Sequence, residues 1–137
     1  MPTPEIVPGQ NERHGAVIVV VERDPHVRAL ESFFLERAGY VVNFARDGLE
    51  ALALVERVRP VIVITEILVP KLDGLSLCRR IRARADLAAV RVLVFSILAA
   101  ATRAREAGAD AFLLKPLTEE KLVDTVEELL TLQVRRA

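Results

Sequence analysis

Five short runs of apolar residues recur along the chain, and most positions on both alternating faces of each run are apolar. This pattern is typical of strands that are buried on both sides of a parallel sheet, because a half-exposed strand would alternate apolar and polar residues. The strands are predicted at residues 16–21, 41–45, 61–65, 91–95 and 111–114.

Between these runs the apolar residues recur at helical spacing, so a helix is predicted after each strand. Asp24 is suited to cap the first helix, since its carboxylate can accept hydrogen bonds from backbone N–H groups and Pro25 fits the first helical position. Gly39, Pro60 and Gly108 end the first, second and fourth helices. The last four helices are predicted at residues 49–58, 75–84, 99–107 and 119–132.

The order of elements is (βα)5, which predicts an α/β fold with a doubly wound, parallel, five-stranded sheet and helices on both faces. We expect one domain at residues 16–133, a flexible N-terminal tail at 1–15 and a short C-terminal tail at 134–137. The first 15 residues hold three prolines and no apolar stretch typical of a secretory signal, which predicts a cytoplasmic location.

The amino-acid composition argues against several classes of protein and partner. Apolar residues make up 52% of the 137 residues and charged residues 28%, which is typical of a globular domain and not of a disordered chain. The 19 acids balance the 19 bases, so we expect neither nucleic acid nor a membrane as a partner. The lone Cys78 cannot build a cysteine metal site, and its helical spacing among leucines predicts a buried thiol.

Charged and polar residues follow four of the five predicted strands. In doubly wound sheets, ligands and chemistry gather outside the carboxyl ends of the strands, so these residues are predicted to share one site. They are Glu22, Arg23 and Asp24 after the first strand, Glu66 after the third, Ser96 after the fourth, and Lys115 with Pro116 after the fifth.

Together with residues 19–25, 60–66, 70–74 and 108–110, this arrangement resembles the receiver domain of bacterial two-component response regulators. The resemblance covers residues 16–132 and implies the flavodoxin-like receiver fold. In that family two acids after the first strand hold Mg²⁺ and an aspartate ending the third strand accepts phosphate. A serine or threonine ends the fourth strand, and a lysine ends the fifth.

Three of these positions match the family and two do not. Glu22, Ser96 and Lys115 correspond to the first acid, the hydroxyl residue and the lysine. Arg23 lies where the second acid belongs, and Glu66 lies where the phosphate-accepting aspartate belongs. A further departure follows Ser96, where an isoleucine replaces a small residue and the segment before the fifth strand is shorter than the family pattern.

The two departures predict that the family's reaction is lost. At about 4 Å two like unit charges repel by roughly 4 kcal/mol at an effective dielectric of 20, so Arg23 disfavours a divalent metal. Glu66 carries its carboxylate one methylene farther out, and a misplacement of about 1 Å can cost about 100-fold in rate. We therefore expect no bound metal, no cofactor, no phosphoryl transfer and no enzymatic activity. Asp73 is no substitute acceptor, because its loop position predicts a turn.

Two arrangements of the site remain open. In one, Glu66 accepts from Lys115 and Arg23, while Glu22 or Asp24 holds the remaining charge. In the other, Arg23 turns to solvent. Likewise, Glu66 either imitates a phosphorylated state or leaves the site inert.

The resemblance implies a switch role for Phe112, whose ring we expect to stay permanently buried, although ordinary core packing predicts the same position. The basic residues of the third helix are expected to form a solvated face, with an acidic protein partner as the alternative. They are Arg79, Arg80, Arg82 and Arg84.

The leading functional hypothesis is a phosphorylation-independent interaction module. The resemblance implies a signalling protein as partner, or a second copy of the chain in a homodimer, contacted through the fourth helix, fifth strand and fifth helix. No DNA-binding helix pair is expected after the fifth helix. The alternatives are an unconventional receiver that is phosphorylated slowly at Glu66 or elsewhere, and a flavin or nucleotide binder. The flavin or nucleotide alternative is disfavoured, because no glycine-rich phosphate loop follows the first predicted strand.

Overall fold

The structure is a computed structural model that describes residues 15–135, so the predicted tail at residues 1–14 and the last two residues lie outside the described part. The strands are β1 Val17–Val21, β2 Val41–Ala45, β3 Ile62–Thr65, β4 Arg91–Ser96 and β5 Ala111–Leu114. The helices are α1 Pro25–Arg37, α2 Gly48–Val58, α3 Gly74–Arg82, α4 Ala101–Glu106 and α5 Glu119–Arg135, with a short 3-10 turn at Ala85–Leu87.

The five strands form one parallel sheet in the order β2-β1-β3-β4-β5, which confirms the predicted doubly wound fold. Successive residues of the inner strands point to opposite layers. Val19 and Val21 of β1 pack with α2, α3 and α4, whereas Ile18 and Val20 pack with α1 and α5. Burial on both faces explains why these strands read as continuous apolar runs. Among the described residues, no helix is long and apolar enough to cross a membrane.

The bounds of the last four helices differ from the predictions; α2 begins one residue earlier than predicted, and α3 spans Gly74–Arg82 instead of 75–84. The α4 helix spans only 101–106 instead of 99–107, because Ala100 stands at its N-cap and provides no side-chain hydrogen bond to extend it. The α5 helix continues to residue 135, so residues 134 and 135 are helical and not part of a tail.

Three aspartates cap the N-termini of α1, α2 and α3, which begin at the carboxyl edge of the sheet. Asp24 accepts from the His26 N–H at 2.8 Å, and Asp47 accepts from the Glu50 N–H at 2.8 Å. Asp73 accepts from two N–H groups of the first turn of α3, as its predicted turn role requires. Capping of this kind stabilises a helix by about 1 kcal/mol and places the preceding loop.

Cys78 of α3 is buried, as predicted. Burial raises the pKa of its thiol to about 11, so the thiol stays protonated and unreactive at neutral pH.

The basic stretch of α3 is not simply a solvated face. Arg82 donates to the carbonyl groups of Val90 and Gly108, both at 2.8 Å, and pairs with Asp110 at 2.5 Å. Asp110 also accepts from the N–H of Val92 at 2.9 Å. The Arg82 side chain is 22% exposed and that of Asp110 is 4% exposed, so this cluster ties α3 to the start of β5 from within the protein.

We predict that Arg82→Ala lowers the free energy of unfolding by about 2 to 3 kcal/mol, because it removes the guanidinium that pairs with the buried Asp110 carboxylate and donates to two backbone carbonyl groups. Arg80→Ala on the same helix is the matched control, since Arg80 is exposed. Urea unfolding of both variants tests this expectation, and equal midpoints for the two variants would contradict it.

Candidate functional site

Five of the seven predicted strand-end residues line one cavity at the carboxyl edge of the sheet, and Ser96 donates a hydrogen bond to one of them, Glu66. The cavity has a volume of about 410 Å³ and lies beside the switch point between β1 and β3. Its lining comprises Glu22, Arg23, Asp24, Glu66, Leu68, Ile97 and Lys115.

Lys115 lies at the centre of the cavity floor. Its Nζ atom is 2.8 Å from Glu22 Oε1 and 3.1 Å from Glu66 Oε2, and the three side chains are between 2% and 12% exposed. Burial by itself would lower the pKa of Lys115, but hydrogen bonds to the two carboxylates outweigh burial and raise it. Lys115 therefore remains a cation that two buried acids share.

Both oxygens of the Glu66 carboxylate accept hydrogen bonds from side-chain and backbone donors. Its Oε1 atom accepts from the Ser96 hydroxyl and from the Ile67 N–H at 2.6 Å, and its Oε2 atom accepts from the Ile97 N–H at 3.3 Å as well as from Lys115. Burial would raise the pKa of Glu66, yet the hydrogen bonds from Ser96 and Lys115 together with that of Ile67 outweigh it, so the pKa is lowered. The carboxylate is ionised and fixed in place.

Glu22 completes the floor. Its Oε2 atom accepts from the Asp24 N–H at 3.1 Å, while its Oε1 atom accepts from Lys115. All four carboxylate oxygens of Glu22 and Glu66 therefore have a protein donor.

Arg23 and the Asp24 carboxylate stay outside this cluster. Arg23 is exposed, and within residues 15–135 its guanidinium forms no ion pair with Glu66, so the arrangement with Arg23 in solvent is the one observed. The Asp24 carboxylate caps α1, and the His26 N–H holds its pKa below the usual range. Of the two arrangements left open by the sequence, the one in which Glu66 also accepts from Arg23 is not observed, because Lys115, Ser96 and backbone N–H groups already donate to both oxygens of Glu66.

The cavity does not fit the magnesium ion that the fold family implies. Mg²⁺ needs carboxylate oxygens with lone pairs free to coordinate it, and each oxygen of Glu66 already accepts from two donors. A guanidinium also stands where the second acid would be. In the described part of the chain, no three acidic, histidine or cysteine side chains are grouped to hold a metal.

The loop after β3 is positioned by Gly74, which begins α3. The Gly74 N–H donates to the Ile67 carbonyl at 2.9 Å, and a Cβ atom on Gly74 would lie 2.2 Å from the Glu66 carbonyl oxygen. Only glycine allows this close approach between α3 and the backbone of Glu66.

Phe112 and Pro116 lie beside the cluster without entering it. The Phe112 ring packs against the core but is only partly buried, and it lines two smaller cavities of about 250 and 270 Å³ next to α4. The expectation of a fully buried ring is therefore wrong, because the short, alanine-rich α4 does not cover it. Pro116 is exposed and follows Lys115 through a cis peptide bond.

Sequence reasoning missed Glu31, a carboxyl group on the buried face of α1. Glu31 is 1% exposed, and its Oε1 atom has no hydrogen-bond partner among residues 15–135. Burial, reinforced by the negative charge of Glu22, raises the pKa of Glu31 to about 9. The signal was available, since Glu31 lies four residues from both Val27 and Leu35 on the apolar stripe.

Comparisons with known proteins agree with this fold. A family model described as the response regulator receiver domain matches residues 18–127. The response regulator MprA of Mycobacterium sp. (strain KMS) is 37% identical over 114 residues, which cover 82% of this chain and 50% of that protein. The chain spans about half the length of the curated relatives that it matches.

Two solved structures share the architecture. The signal receiver domain of a signal transduction histidine kinase from Syntrophus aciditrophicus is 32% identical with a TM-score of 0.80, and the match covers 85% of this chain and 91% of that one. The receiver domain of sensor histidine kinase PA1611 from Pseudomonas aeruginosa PAO1 is 26% identical with a TM-score of 0.78, covering 85% and 98%. It is described with a magnesium ion coordinated in its active site cleft.

We predict that Lys115→Met lowers the free energy of unfolding by about 3 kcal/mol, because it keeps an apolar stem but leaves two buried carboxylates without their cation. Lys121→Met on the exposed surface of α5 is the matched control and should change stability by less than about 0.5 kcal/mol. Thermal and urea unfolding near pH 7 measure both, and an unchanged Lys115→Met protein would contradict the shared-cation description.

We predict that Glu31→Gln becomes progressively more stable than the parent as pH rises. The folded parent keeps Glu31 protonated to about pH 9 while the unfolded chain ionises near 4.5, so the parent loses about 1.4 kcal/mol per pH unit between these values. The difference should be near zero at pH 4 and about 3 kcal/mol at pH 7.

Urea unfolding from pH 4 to pH 8 measures this difference. Glu36→Gln, at an exposed position of the same helix, is the control. If the stability of Glu31→Gln relative to the parent does not rise with pH more than that of Glu36→Gln does, Glu31 is ionised in the folded protein.

Proposed function

Because this chain belongs to the response regulator receiver domain family, we propose that it acts as an atypical receiver whose signalling contacts do not depend on phosphorylation. In this proposal Glu66 replaces the phosphate-accepting aspartate. The domain works as a protein–protein interaction module of bacterial signal transduction in the cytoplasm, and it catalyses no reaction of its own.

The observation that carries the proposal is the shared ammonium group of Lys115. It lies within 3.1 Å of both Glu22 and Glu66, and the remaining carboxylate oxygens accept from Ser96 and backbone N–H groups. Phosphoryl transfer needs an acceptor free to attack and a cation free to neutralise the incoming phosphoryl oxygens. Here the acceptor and the cation are bound to each other.

The acid pocket supports the same conclusion. The PA1611 receiver is described with magnesium in its cleft. In this chain Arg23 carries a positive charge at the position of the second acid, and Glu22 already accepts from Lys115. Metal binding here would have to displace a buried ion pair and overcome repulsion from Arg23.

The partner is a signalling protein that reads the surface of the domain, through the face of α4, β5 and α5 or through a second copy of the chain. The family match supports this proposal over the flavin or nucleotide alternative, since the comparison proteins named above are receiver domains and a response regulator. Neither nucleic acid nor a membrane is a partner in this proposal.

We predict that incubation with acetyl phosphate and Mg²⁺ adds no phosphoryl mass, about 80 Da, to the intact protein. Glu66→Asp alone and Arg23→Asp alone should stay unlabelled, because each repairs one of two requirements that act together. The double variant should be labelled weakly. Intact-mass spectrometry measures all four proteins, with circular dichroism to verify their fold.

Each opposite result is informative. A mass gain in the parent that disappears in Glu66→Ala would establish the unconventional phosphorylated receiver instead. Efficient labelling of Glu66→Asp alone would show that Arg23 does not exclude the metal.

A further inference from the structure

The carboxyl group of Glu31 is a buried titratable group that takes no part in the Lys115 cluster. It lies on α1 one helical turn from both Val27 and Leu35, and these two residues pack in the apolar layer between the sheet and helices α1 and α5. Glu31 is 1% exposed, and its Oε1 atom accepts no hydrogen bond within residues 15–135. An acid in such surroundings either keeps its proton or needs a cation.

The ammonium group of Lys115 borders the same apolar layer. Its Nζ atom lies 5.4 Å from the centre of the Phe95 ring, and Phe95 packs in that layer. An ammonium group has three N–H donors. Glu22 and Glu66 accept from two of them, and among the described residues the third has no protein acceptor. An oxygen without a donor and a donor without a protein acceptor therefore belong to one layer.

The charged groups that face Glu31 come from three strand ends. They are Glu22 after β1, Glu66 after β3 and Lys115 after β5, while the α5 residues of the layer are apolar. The two carboxylates exceed the ammonium group by one negative charge, so ionisation of Glu31 would add a second. Burial and the charge of Glu22 raise the pKa of Glu31 to about 9, and the charge of Lys115 opposes them.

We propose that Glu31 is a proton-controlled switch of the Lys115 cluster. With its proton, the carboxyl group stays in the apolar layer, and Lys115 binds Glu22 and Glu66. When the proton is released to water, the carboxylate turns toward the ammonium group and accepts from its third N–H. Because Glu31 is fixed to α1, this ion pair draws α1 toward the strand ends.

This inference deepens the proposed function and rests on it, because it requires a cluster that is closed without phosphorylation. An interaction module that does not respond to a phosphoryl group can still change its state when a proton leaves. The switch acts on the ammonium group that holds Glu66, and it operates on the alkaline side of neutral pH.

Carbon-13 NMR of the full chain from about pH 6 to about pH 10 tests the switch. It follows the Cδ signal of Glu31, the Cε signal of Lys115 and the backbone amide signals of α1. Burial lowers the pKa of Lys115, but its bonds to Glu22 and Glu66 outweigh burial and raise it, so Lys115 itself stays protonated in this range. The three sets of signals should change together with one midpoint near pH 9.

Three variants identify the group responsible. Glu31→Gln should abolish the changes at Lys115 and along α1, whereas Glu36→Gln, at an exposed position of the same helix, should keep them with the midpoint of the parent. Glu22→Gln keeps an oxygen for Lys115 but removes a negative charge that faces Glu31, so the Glu31 midpoint should fall. Circular dichroism verifies the fold of each variant, and Glu31→Gln decides the test if Glu22→Gln does not fold.

The outcomes separate this inference from the proposed function. A Lys115 signal that stays constant while Glu31 titrates, or that still changes in Glu31→Gln, would overturn the inference and leave phosphorylation-independent contacts standing. The same holds if Glu31 is already ionised at about pH 6, or if a folded Glu22→Gln protein keeps the midpoint of the parent. Phosphoryl labelling of the parent by acetyl phosphate and Mg²⁺ would overturn the proposed function, whatever the titration of Glu31 shows.

Discussion

The ammonium group of Lys115, shared between two buried carboxylates, is the interaction on which the carboxyl edge of the sheet depends. Lys115 follows the edge strand β5, while Glu22 and Glu66 follow β1 and β3, so one cation connects three strand ends across the sheet. Removing Lys115 would leave two carboxylates without a cation in a region that water barely reaches, which is far more destabilising than losing an exposed ion pair. In this protein the Lys115 ammonium group and the two carboxylates stabilise the fold by pairing with one another.

The burial on both sheet faces made the fold predictable, because continuous apolar runs such as Val61 to Thr65 admit few alternatives to a buried parallel strand. Glu22, Glu66, Ser96 and Lys115 could be assigned to one site because strand ends of a parallel sheet share an edge. Their hydrogen-bond partners could not be assigned, since the backbone N–H groups of Ile67 and Ile97 compete with side chains for the same carboxylate oxygens. Because these donors already occupy both oxygens of Glu66, Arg23 forms no hydrogen bond with it.

Other features depend on three-dimensional packing that a linear pattern does not carry. Arg82 looked like one more basic residue of α3, yet the turn at Gly108 brings Asp110 against it. Glu31 occupies an apolar helical position as an acid, and only the packed structure shows that its Oε1 atom finds no donor in the described chain. Arg82 was therefore assigned to a solvated face because its partner across the fold was not foreseen, and Glu31 was not singled out at all.

The short α4 helix has a consequence for how the protein moves. It spans six residues, Ala100 provides no side-chain cap, and Ala104 is its buried residue. A helix of this length does not persist without tertiary support. We therefore expect a low local unfolding free energy for this segment, so that its amide protons exchange with solvent before those of the sheet. Such opening would uncover the Phe112 ring while leaving the charged floor of the cavity closed.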